Sequence, residues 1–75
     1  MLIFKNVPSV KTEITTYTVG EQIKFWDSTE RTWVKGKIIE ITECCGYFVK
    51  LTIAYYAYKK QREVVICRED WLSKS

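Results

Sequence analysis

The sequence predicts a small all-β protein: five short strands in chain order, forming a strongly bent, partly open antiparallel barrel behind an N-terminal extra strand or arm. Three observations predict it. Apolar residues recur at every second position through most of residues 20–72, the period of a strand with one face inside. No segment of ten or more residues carries a helical repeat. Short polar or glycine-bearing stretches separate the alternating runs, which suits consecutive antiparallel strands whose closure would remove open edges.

Residues 1–18 read as an arm or edge strand and residues 19–75 as the barrel. Leu2, Ile3 and Phe4 suit a short strand that Pro8 interrupts, and the Thr-rich residues 11–18 suit an extended edge. In residues 20–26, Ile23 and Phe25 share one face, while Lys24 and Trp26 share the other. Residues 27–31 are a polar loop. The second strand, residues 32–41, puts Val34, Gly36 and Ile38 on one face and Trp33, Lys35 and Lys37 on the opposite one. Gly36 marks a place where the backbone bends or passes close to a neighbour. The run Ile38-Ile39-Glu40-Ile41 breaks the alternation, as a bulge would.

The third strand covers residues 47–58. Val49, Leu51, Ile53 and Tyr55 form its inner face; Phe48, Lys50, Thr52, Ala54 and Tyr56 form its outer face. Residues 59–62 read as a basic turn. In residues 63–67, Val64 and Ile66 alternate with Val65 and Cys67, so that strand is expected to be covered on both sides with Cys67 in the core. Residues 68–71 suit a single tight turn, and Leu72 tucks back inside.

The order Val19-Gly20, Ile23-Phe25, Trp33, Gly36-Ile38-Ile41, Tyr56-Ala57-Tyr58 and Asp70-Trp71-Leu72 resembles the Src-homology-3-like barrels, and the Tudor domains among them most closely. The resemblance implies the fold and covers about three quarters of the chain. It implies less about function, since a Tudor reader holds a methylated cation between aromatic faces. The matching positions are Asp27, Val34, Ile53, Tyr56 and Tyr58, of which only the last two are aromatic. The type II dihydrofolate reductases are similar in length and barrel plan. Their fourth-strand Val-Gln-Ile-Tyr is replaced by Val64-Val65-Ile66-Cys67, so the groups that meet folate and nicotinamide are missing.

Composition narrows the function classes. A 75-residue chain is one domain with a thin core. It has no histidine and no phosphate-cradling glycine loop, so neither catalysis nor a catalytic residue is expected. Glu69 and Asp70 read as turn or surface carboxylates. The 3 cysteines lack a Cys-x-x-Cys spacing, so no metal and no cofactor is expected, and Cys44 and Cys45 read as turn residues before Gly46. The odd cysteine count and the lack of an apolar membrane-length run suggest a reduced, cytoplasmic protein with no membrane partner.

What stands out is a basic and aromatic face. Lys24, Trp26, Trp33, Lys35, Lys37, Lys50, Thr52 and Tyr56 all fall on the outer side of the sheet, and Tyr58 joins the candidate binding set. Cations meet phosphates and rings stack on bases, so DNA or RNA is one expected partner. Archaeal chromatin proteins and retroviral integrase carboxy-terminal domains are similar in plan. A protein partner or an inhibitor target, engaged through Trp26 and Trp33, is the alternative. A third arrangement has the N-terminal arm folded over the two indoles. In either binding case the expectation is a non-catalytic accessory or regulatory module of the phage or plasmid kind.

Overall fold

A computed structural model describes residues 1–74. The described residues are all-β apart from one 3-10 turn. In chain order the strands are β1 (Phe4–Asn6), β2 (Ser9–Lys11), β3 (Thr16–Thr18), β4 (Gln22–Asp27), β5 (Thr32–Cys44), β6 (Tyr47–Ala57), β7 (Lys60–Ile66) and β8 (Leu72–Ser73). The 3-10 turn Glu69–Trp71 precedes β8. The main sheet runs β7-β6-β5-β4-β8, β1 pairs with the far half of β5, and β2 and β3 form a separate hairpin. Every pairing is antiparallel. The ladder does not close, because β7 and β8 end it without pairing to each other. Among the described residues the expected five strands therefore become eight, and no closed barrel forms. Among the described residues, no helix is long and apolar enough to cross a membrane.

The alternation read from sequence holds through the centre. Ile23, Phe25, Ile38, Ile41, Leu51, Ile53, Ile66 and Leu72 are buried, and Val10 and Tyr17 of the arm join them. The arm thus completes the core instead of lying over Trp26 and Trp33. Its hairpin rests on β5 and β6, and Tyr17 tilts against Phe48 with ring centroids 6.0 Å apart. The Tyr17 hydroxyl donates to Glu69 Oε2 at 2.9 Å, and the Thr12 hydroxyl donates to the same oxygen at 2.6 Å. Burial, and then the neighbouring carboxylate, push the Tyr17 phenol well above its usual range.

Two register shifts shape the sheet. Ile38 faces Ile53 and Glu40 faces Thr52, so Ile39 is the extra residue of the expected bulge. Thr42 faces Lys50 and Glu43 faces Phe48, so Val49 is a second extra residue. This shift turns Phe48 inward, against the outward position expected for it, and brings it onto Tyr17. Cys67 also departs from expectation: it is exposed, as the outer side of β7 has no covering layer and Val65 is half-exposed.

Turns carry the rest of the geometry. The Asp27 carboxylate accepts the Thr29 and Glu30 backbone N–H groups at 2.9 and 3.2 Å and fixes the β4–β5 loop. The basic turn expected at residues 59–62 is tighter than that. Only Tyr58 and Lys59 connect β6 to β7, with φ of 53° and 61°. Both central residues of this mirror-image turn are left-handed, which side chains disfavour.

Two stability measurements test this description. Alanine at Gly36 would drive its Cβ into Ile53 Cγ2 and to 2.8 Å from the Ala54 carbonyl oxygen. The expected loss is about 1–3 kcal/mol in urea unfolding. Lys59→Gly removes a side chain from a left-handed position and is expected to raise stability by about 1 kcal/mol.

Candidate nucleic-acid interface

The outer face is built by the alternation that sends Ile23 and Phe25 inward. On β4 it carries Gln22, Lys24 and Trp26; on β5 it carries Trp33, Lys35 and Lys37. These residues sit directly opposite one another as Gln22 with Lys37, Lys24 with Lys35, and Trp26 with Trp33. The two indoles meet edge to face with centroids 5.6 Å apart. Trp26 is half-buried, while Trp33 keeps 44% of its surface exposed.

Lys24 and Lys35 form a like-charge pair at facing positions, which costs stability in a sheet. Among the described residues the ion pairs are Arg68 with Asp70 and Lys74 with Glu21. Neither involves Lys24, Lys35 or Lys37, so their charges stand unneutralised by a contacting carboxylate. Lys74 borders the same edge, where it shares a small concavity with Lys24 and Lys35. Its own charge is committed: the ammonium pairs with Glu21 at 3.0 Å, and that bond holds the Glu21 carboxyl below its usual range.

A shallow groove of about 540 Å³ crosses this face from β4 to β7. The Gly36 backbone and Ala54 line it, and the small outward side chain of Ala54 leaves room between the larger ones. Lys35, Lys37, Ile39 and Tyr56 stand around it, with the amides of Gln22 and Gln61 at its two ends. Tyr56 is 71% exposed. Glu63 faces Ala54 across β6 and β7 and Glu40 faces Thr52, so acidic groups bound the basic strip on its far side.

Six of the expected residues gather here: Lys24, Trp26, Trp33, Lys35, Lys37 and Tyr56. Lys50 does not join them. It lies opposite Thr42, four residues along β6 from Ala54 and so roughly 13 Å away along the strand. Tyr58 sits instead at the β6–β7 turn, where its hydroxyl donates to Glu30 Oε1 at 2.7 Å. That bond raises the phenol above its ordinary value. Sequence reasoning missed the groove, although Gln22, Ala54 and Gln61 share the same period-two phase.

A second concavity, about 360 Å³, lies at one end of the sheet among Phe25, Trp26, Asp27, Tyr55, Tyr58 and Trp71. The chain's own arginines already lie over two of its rings. Arg62 is 5.2 Å from the Tyr58 centroid and Arg68 is 5.4 Å from that of Trp71. Of the five positions that a Tudor cage would use, Asp27 and Tyr58 line this concavity and the other three do not. Ile53 is fully buried and Val34 packs against the core, while Tyr56 stands on the outer groove.

Among the described residues, no three His, Cys, Asp or Glu side chains gather as a metal-binding group. Comparison with known proteins finds no matching family model, no matching curated protein and no matching solved structure.

Proposed function

We propose that this protein is a non-catalytic module, of the Src-homology-3-like or Tudor-like kind, that binds nucleic acid through the outer face of β4, β5 and β6. The observation that carries the reading is the facing pair Lys24 and Lys35, unneutralised, beside the exposed indole of Trp33. A phosphate between two ammonium groups relieves their repulsion, and an indole or phenol beside them offers a base a stacking surface. The groove over Gly36 and Ala54 gives an unpaired base a place to lie. The amides of Gln22 and Gln61 are suited to its polar edge. This arrangement favours single strands, whose bases are free to stack, over a closed duplex.

Fluorescence anisotropy with short labelled single-stranded DNA and RNA, repeated over a range of salt, tests the proposal. Affinity is expected to fall as salt rises, with a log–log slope of about −0.7 for each phosphate contacted. Lys35→Gln should lower the magnitude of that slope by about 0.7, one contact. Trp33→Ala should cost about 1–3 kcal/mol if the indole stacks on a base. Binding indifferent to salt and to Lys35 would reject the reading. Salt-tolerant association that depends on Trp26 and Trp33 would point to a protein partner instead.

A further inference from the structure

We propose that the Cys44–Cys45 turn is a bidentate thiolate site for a soft, closed-shell metal ion of the zinc, cadmium and monovalent-copper class. The site is separate from the basic face. Cys44 ends β5 at the opposite end from Trp33, and Cys45 and Gly46 alone connect β5 to β6. Adjacent residues of a strand point to opposite sides. Here Cys45 leaves the strand geometry with φ of 55°, and the two sulfur atoms come to 3.8 Å from each other.

That separation decides what the pair can hold. Two thiolates bound at about 2.3 Å to a tetrahedral ion stand about 3.8 Å apart, so the sulfurs already span one edge of such a sphere. A disulfide between them fits worse. Neighbouring Cα atoms are about 3.8 Å apart across a trans peptide, below the roughly 4.4–6.8 Å that disulfides prefer. The two-residue turn itself calls for no sulfur. Its left-handed first position suits asparagine, and cysteine there accepts a backbone cost that asparagine largely avoids. Cys45 is exposed and Cys44 is half-buried, so an ion has access.

On binding, each sulfur releases its proton to solvent and donates a lone pair to the ion, which sheds two waters. No electron changes hands. The remaining positions stay with water or with small thiols, and soft sulfur donors select this metal class over magnesium or calcium.

The test is titration of the reduced full-length chain with cadmium chloride, read by the ultraviolet thiolate-to-cadmium charge-transfer band. The band is expected to saturate at one ion per chain, to disappear in Cys44→Ser and Cys45→Asn, and to persist in Cys67→Ser. Cys45→Asn suits the turn, so circular dichroism should show that variant folded while the band is lost. Absence of the band in the unmodified chain, its survival in Cys45→Asn, or its loss in Cys67→Ser would overturn the proposal.

Discussion

One strand has to serve three neighbours. β5 pairs with β4 through its first half, with β6 over most of its length, and with β1 at its end. A flat 13-residue strand could not meet all three while keeping Ile38 and Ile41 in one small core, because the strand must coil across its own sheet. Gly36 gives the close approach, since any Cβ there would enter the space of Ile53 and Ala54. Ile39 then adds the extra residue that returns Ile41 to the inner side. The single core shared by both halves of β5 follows from that bend.

The thin sheet is completed by the arm and the C-terminal segment together. Val10 and Tyr17 cover apolar surface that β5 and β6 would otherwise leave open. Tyr17 and Thr12 both donate hydroxyl hydrogen bonds to Glu69, which ties the arm to the 3-10 turn. Lys74 strengthens the same seam. Its ammonium donates to the Thr16 carbonyl and pairs with Glu21, and it lies 5.5 Å from the centre of the Tyr17 ring. Glu69 reads in the sequence as a surface carboxylate, yet it serves as the anchor between distant parts of the chain.

Period-two alternation made the centre of the fold legible. It placed Ile23, Phe25, Ile38, Leu51 and Ile53 inside, and it placed Lys24, Lys35, Lys37 and both indoles on one outer face. The Gly36 bend and the Ile39 bulge were legible for the same reason, as a missing side chain and a break in phase. The second bulge at Val49 was not. Val49 is apolar like its inward neighbours, so the break leaves no mark in the pattern, and Phe48 is misplaced as a result. Cys67 was misread because apolar residues on both sides of a strand suggest two covering layers. Here the outer side lies open, with Val65 half-exposed and Cys67 exposed. The tethering of the arm depends on side chains 52 and 57 residues apart, a distance at which periodicity carries no information.

The outer face is costly in a way that the core does not require. Inward burial of Ile23 and Phe25 fixes the phase of β4, but it does not dictate which residues alternate with them. Threonine or an oppositely charged partner at either facing lysine position would ease the strain between strands. Instead two lysines occupy directly opposite positions on β4 and β5, with a pair of tryptophans at the next same-face position along the same strands. The indoles gain from their edge-to-face contact, which accounts for Trp26, already half-covered. It accounts less well for Trp33, whose exposed surface has no neighbour to exclude water from it. Repulsion between lysines and exposure of an indole are both relieved by one kind of contact, an anion carrying a flat apolar ring. A nucleotide has that combination. A protein surface meets the same need where it sets a carboxylate beside an aromatic side chain.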